Sequence, residues 1–185
     1  MIVILGIIAT VSIGSLRAGY ESARYKVVKS DGKFEIRKYQ PHVVVSTSMQ
    51  AAEGGGSFGR LFKYISGNNK TEKKIAMTTP VFMPATSEGK ATEMQFVVPE
   101  DIAKAGAPVP AGSSVRLDRM SGGDYVVLRY SGRNSESSQK KQLAALRKEV
   151  KDRSLSTSGN PIFAGYDPPW TPGPMRRNEV LLKLD

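Results

Sequence analysis

A chain of 185 residues with a formal net charge of +10, no cysteine and a single histidine is long enough for one domain with its own core, and its composition closes off several chemistries. Disulfides, thiolate nucleophiles, iron–sulfur clusters and thiolate zinc sites all need cysteine, and one histidine excludes a multi-histidine metal centre within the chain. The excess of Lys and Arg favours anionic partners, while 18 Gly and 11 Pro point to a turn-rich α+β domain rather than a helical bundle.

Residues 2–13 are apolar with only Gly6, Thr10 and Ser12 intruding. The run is short for a spanning helix, which needs roughly 20 residues, and suits the apolar region of a secretory signal. No Lys or Arg precedes it and no Ala-x-Ala site follows it. Residues 1–19 therefore read as a signal peptide or a retained membrane anchor, and residues 20–185 as the folded domain. The expected product is exported, either periplasmic or tethered to a membrane.

Beyond Gly19 the chain reads as two similar halves. In the first, Lys33–Tyr39 alternates apolar and polar residues at strand spacing, and Val43–Ser48 is β-branched. Gly54-Gly55-Gly56 forms a loop, Ser57 can cap a helix running to Ser66, and Met77–Met83 and Met94–Val98 read as strands. Ala107–Gly112, with two prolines, is a hinge between halves. In the second half Val115–Met120 and Tyr125–Tyr130 read as strands, and Ser135–Arg153 as a helix with Leu143, Leu146 and Val150 on one stripe. Pro161–Tyr166 and Glu179–Leu184 close the series. The expectation is an α+β fold of two pseudo-symmetric β-β-α-β-β repeats sharing one core. They would form a curved antiparallel sheet or distorted β-barrel flanked by two helices.

The first helix is the sharpest candidate for a site. Phe58, Leu61, Phe62 and Ile65 fall at i, i+3, i+4 and i+7 on one face, with Arg60 and Lys63 beside it. An apolar stripe bordered by cations suits a flat amphipathic ligand with carboxylates at its edge. The same pattern also describes any helix packed on a sheet.

Three runs carry a family resemblance: Lys74-Ile75-Ala76-Met77-Thr78-Thr79-Pro80-Val81, Ala164-Gly165-Tyr166-Asp167-Pro168-Pro169, and Arg176-Arg177-Asn178-Glu179-Val180. The chain resembles the SOUL/heme-binding protein family from about Gly19 to Asp185. The resemblance implies a pseudo-two-fold fold and non-enzymatic binding of heme or a related tetrapyrrole in a groove beside the first helix. It implies Phe58 and Phe62 as apolar wall, with Leu61 and Ile65 on the same face and Lys63 as a propionate partner. Family members place a further lysine after the Gly-Tyr-Asp-Pro-Pro run. Here Thr171 stands near that place; Arg176 or Arg177 could take the lysine's part, and Trp170 could stack on the ring. Some members carry a proposed iron-ligating histidine before the first-strand tyrosine. This chain has Lys38 there, so its only histidine, His42, is the candidate metal ligand. Tyr39, Tyr64, Met77 and Met83 are further conceivable ligands, and ring burial without any protein ligand is another mode.

Other signals are weaker. The basic helix Ser135–Arg153 lacks interleaved aromatic residues and reads as a solvated face, so no nucleic-acid partner is expected. Gly54–Gly56 lacks the ending of a phosphate-binding loop. Asn178-Glu179 reads as a buried polar pair fixing the last strand. No catalytic motif is present, and an enzyme is not expected. The alternative function is an effector-binding or protein-interaction module of the same fold that holds a different lipophilic molecule. It would need a buried carboxylate, with Glu93, Glu100 and Glu179 as the acids to check.

Overall fold

The computed structural model describes residues 19–50 and 55–185. The signal or anchor expected at residues 1–19 lies outside the described residues but for Gly19, as does Gly54 of the glycine run. Among the described residues no helix is long and apolar enough to cross a membrane.

Short β1 (Glu21–Ser22) and the edge strand β2 (Tyr25–Asp31) precede β3 (Phe34–Tyr39) and β4 (His42–Ser48). Helix α1 (Gly56–Ile65) follows, then β5 (Thr78–Thr79), β6 (Val81–Pro84) and β7 (Glu93–Val97). A short helix α2 (Glu100–Lys104) leads to β8 (Arg116–Met120) and β9 (Gly123–Tyr130). Helix α3 (Glu136–Asp152), β10 (Thr157–Gly165), a 3-10 turn (Gly173–Met175) and β11 (Asn178–Leu184) complete the chain. Pro80 carries no amide hydrogen and divides the stretch predicted as one strand into β5 and β6. Ser135 caps α3 as its side chain accepts from the Ser138 amide at 3.3 Å.

Nine strands form one antiparallel sheet in the order β2-β3-β9-β11-β10-β6-β7-β4-β8, and β1 pairs with β5 in a small parallel ribbon. The sheet ends at β2 and β8 and does not close, so the barrel alternative is corrected to an open, curved sheet. Three α-helices, rather than two, are present among the described residues. The sequence of α2 holds the missed signal: Pro99 before two acids, Glu100 and Asp101, in the first turn. The strand opening each predicted half is hydrogen-bonded to the other half: β3 pairs with β9, and β8 with β4.

Helices cover one face of the sheet. On α3, Leu143, Leu146 and Val150 pack with Val126, Phe163, Val180 and Leu182, and on α1, Leu61, Tyr64 and Ile65 pack with Val45 and Phe96. Side chains of the opposite face come together as the sheet curls. Tyr39, Val44, Phe82, Val97, Met120, Val127, Ala164 and Leu181, from eight strands, share one cluster.

That inner layer also holds a charged network. Arg37 on β3 and Glu179 on β11 are fully buried and joined by two hydrogen bonds, Nη1 to Oε2 at 2.7 Å and Nη2 to Oε1 at 2.9 Å. Arg37 Nε also donates to Glu35 at 2.6 Å, Arg177 Nη2 donates to Glu179 Oε1 at 2.7 Å, and the Tyr166 hydroxyl donates to Glu179 Oε2 at 2.9 Å. Burial opposes ionisation of Glu179, but the guanidiniums of Arg37 and Arg177 outweigh it and hold the carboxyl below its usual range. The expectation of a buried polar pair at Asn178-Glu179 is met, since the Asn178 amide donates to the Gly132 carbonyl at 2.9 Å.

Candidate functional site

The chain turns into α1 through Gly55 and Gly56, whose φ values of 87° and 67° suit glycine. Gly55, not Ser57, is the N-cap, and no side chain caps the helix start. From there the predicted apolar stripe splits. Leu61 and Ile65 turn under the helix into the core. Phe58 and Phe62 are about half exposed at its flank, with rings stacked at a centroid distance of 6.0 Å, and Phe58 meets Phe96 edge-on at 5.2 Å.

These two rings form one wall of a groove of about 530 Å³, within the size range of small-molecule sites. Its other lining comes from four parts of the chain. Val81 and Met83 of β6, Gly165 of β10 and Asn178 of β11 contribute from the sheet, and Tyr20, Met77 and Thr79 lie beside them. Asn134, the loop Asp167–Trp170 and Arg176 complete the lining. A Cβ on Gly165 would come no closer than 4.0 Å to Asn134 Nδ2 and Met83 Cε, so glycine leaves this part of the groove open.

The polar atoms around the groove are largely engaged by its own frame. Asn134 Oδ1 accepts from the Tyr130 hydroxyl at 2.8 Å and from Gln139 at 3.1 Å. Asp167 Oδ2 accepts the Arg177 amide at 2.6 Å. Arg176 Nε donates to the Thr171 carbonyl at 2.7 Å and its Nη2 to the Pro169 carbonyl, which fastens the loop bearing Trp170. Tyr166 lines the groove, yet its hydroxyl points inward to Glu179, and burial followed by that carboxylate raises its pKa. What remains facing the cavity is mainly aromatic and aliphatic, with Arg176 as its cation.

Of the five residues expected to form the site, the groove takes two, Phe58 and Phe62. Leu61 and Ile65 serve the core. Lys63 borders a separate depression with Arg60, Tyr64 and Asn68, on another side of α1. A helix stripe three residues wide spans both the sheet contact and the flank, so spacing could not separate the two sets. Trp170 and Arg176 do reach the groove, whereas Arg177 turns to Glu179 and stacks over the Tyr166 ring at 4.0 Å.

His42, the expected metal ligand, does not line the groove. It borders a second cavity of about 240 Å³ with Glu21, Arg24 and Glu100, across the β1–β5 ribbon. Its Nε2 is buried with no hydrogen-bond partner, and burial lowers the imidazole pKa. Among the described residues no cluster of three or more His, Asp or Glu could hold a metal ion.

Residues 20–183 match the family model described as SOUL heme-binding protein. Heme-binding protein 1 of Xenopus tropicalis is 27% identical over 179 residues, covering 90% of this chain and 93% of the relative. Among solved structures, the EcmrR C-terminal domain aligns with a TM-score of 0.61 at 11% identity, covering 82% of this chain and 96% of that one. A hydrolase from Listeria innocua aligns with a TM-score of 0.55 at 13% identity, covering 85% and 94%. These two structural likenesses speak to the fold alone, and one fold hosts many functions.

Proposed function

The chain belongs to the SOUL heme-binding protein family, and we propose that it is a non-enzymatic binder of heme or a related tetrapyrrole, seated in the groove flanked by Phe58 and Phe62. The observation that carries the reading is the convergence of half-exposed or exposed aromatic side chains, Tyr20, Phe58, Phe62 and Trp170, on one cavity of suitable size. Exposed aromatic residues gathered at a concave site favour a flat apolar ligand. Arg176, the cation of the lining, would be the partner of a ligand carboxylate.

Affinity would come from ring burial. No histidine lines the groove, and the Tyr166 hydroxyl is committed to Glu179. Met77 and Met83 are the thioethers within the lining. The proposed roles are carriage, buffering or sensing, outside the cytoplasm if residues 1–19 act as the leader or anchor that their sequence suggests.

The effector-binding alternative needs a carboxylate facing the ligand. Glu179 is paired with Arg37 and Arg177, Glu93 pairs with Arg116, and Glu100 pairs with Arg24 and Lys104. None of the three lines the groove, and the acid that does, Asp167, accepts the Arg177 amide, which favours the tetrapyrrole reading.

A hemin titration followed by absorption in high salt tests the proposal. Apolar burial persists when salt screens the basic surface. A saturable, salt-resistant Soret shift is expected, retained in His42→Ala and lost in Phe62→Asp. No saturable shift in the parent chain would remove heme from the reading.

A further inference from the structure

We infer that the mouth of this groove is a membrane-docking surface, whose aromatic rim seats on an anionic lipid bilayer so that the groove opens toward lipid rather than bulk water. Three independent observations converge on it.

The first is where apolar surface is left uncovered. Among the described residues, large hydrophobic side chains left exposed include Tyr20 at 42%, Phe58 at 45%, Phe62 at 51% and Trp170 at 83%, and all four line the groove. Met175, 66% exposed, stands in the 3-10 turn of the same loop, next to Arg176. Tyr and Trp suit the boundary between water and lipid, because one end of each ring system is apolar and the other polar.

The second is the route of the chain. Tyr20 lines the groove, and the sequence before it is mostly apolar from Ile2 to Ile13. Only Gly14 to Gly19 separate that run from Tyr20. Fully extended, this stretch spans about 20 Å. If residues 2–13 enter a bilayer, the groove mouth therefore cannot stand far from the lipid surface.

The third is charge. The chain carries a formal +10, and cations accompany the rim: Arg176 lines it, and exposed Arg133 directly precedes the lining residue Asn134. The acidic residue of the lining, Asp167, already accepts the Arg177 amide. Aromatic side chains beside Lys and Arg match an interfacial surface for anionic lipid.

The chain supplies its own probe, since Trp170 is its single tryptophan. The full chain is mixed, without heme, with phosphatidylcholine vesicles containing phosphatidylglycerol, with and without bromine on the acyl chains. Expected are a blue shift of Trp170 emission and quenching by the brominated lipid. In the Phe58→Asp/Phe62→Asp variant the quenching should fall at least about two-fold while sedimentation with vesicles persists through the N-terminal run. Both rings are about half exposed, and the parent measurement decides by itself if the variant misfolds. The inference fails if vesicle-bound parent leaves Trp170 emission unmoved, if the parent does not bind, or if the folded variant is quenched equally. It also fails if emission is already blue-shifted without lipid and reverts when residues 2–13 are removed, which would mark the chain's own segment as occupant. Because no heme is present, failure here leaves the tetrapyrrole proposal standing.

Discussion

The guanidinium of Arg37 and the carboxylate of Glu179 meet edge to edge, at 2.7 and 2.9 Å, with neither side chain accessible to solvent. The pair bolts β3 to β11, the last strand of the chain, although the two are not neighbours in the sheet since β9 lies between them. Glu179→Gln keeps the shape but leaves Arg37 and Arg177 short of a counter-charge. Removing one partner of a buried pair costs about 3–5 kcal/mol, and urea unfolding should show that loss. A loss no larger than the roughly 1 kcal/mol of an exposed pair would mean that water reaches the network.

The pH profile of stability should carry two separate limbs. Burial holds the folded pKa of His42 below its ordinary 6.5. As pH falls below 6.5 the unfolded chain takes up this proton first, so stability declines until the folded imidazole also protonates. Glu179 acts lower. Its folded pKa lies beneath the ordinary 4.5, so its stabilisation is complete above 4.5 and is lost as pH falls through the folded value. Denaturation across pH 3 to 8 should lose the upper limb in His42→Leu and the lower one in Glu179→Gln. An unchanged upper limb in His42→Leu would assign it to another group.

Adjacent positions on α1 should respond in opposite ways. Leu61 is wholly buried, so Leu61→Ala should cost about 2–5 kcal/mol of stability. Phe62 is half exposed, and Phe62→Ala should change stability by about 0.5 kcal/mol or little more, while weakening hemin binding. Thermal melts paired with hemin titrations would separate the two roles. Equal stability losses would contradict the split between core and groove.

Gly165 offers a block that spares the fold. Its backbone does not lie in the left-handed region, and a Cβ there makes only ordinary contacts. In Gly165→Phe the ring must project into the groove or displace Met83. Hemin affinity should drop by about tenfold or more, which corresponds to 1.4 kcal/mol, with circular dichroism unchanged. Undiminished affinity would place the ligand elsewhere.

Much of the fold was legible because its strands and helices follow their sequence periods closely. Ser135–Arg153 brackets α3 with its two caps, and Leu143, Leu146 and Val150 are buried as their spacing predicts. The edge strand β2 was missed, since an outer strand has little apolar alternation to display and five of its seven residues are exposed. The site was legible only in part. Phe58 and Phe62 declared themselves as large apolar residues on a helix flank. Tyr20, Met77, Gly165 and Asn134 come together only after the sheet is assembled, and no local pattern links them. Lys63, next to Phe62 in sequence, borders another depression because helix rotation turns it away from the groove, and His42 on β4 borders a different cavity.

Strand pairing between residues before and after the 107–112 stretch shapes how this chain folds. Because β3 pairs with β9 and β8 with β4, neither half completes its own sheet from its own residues. Contacts distant in sequence must form before either half gains stability, which raises contact order and slows folding relative to a helical domain. A chain severed within residues 107–112 is accordingly expected to give two fragments that fold only on each other, which circular dichroism of each alone and of the mixture would check.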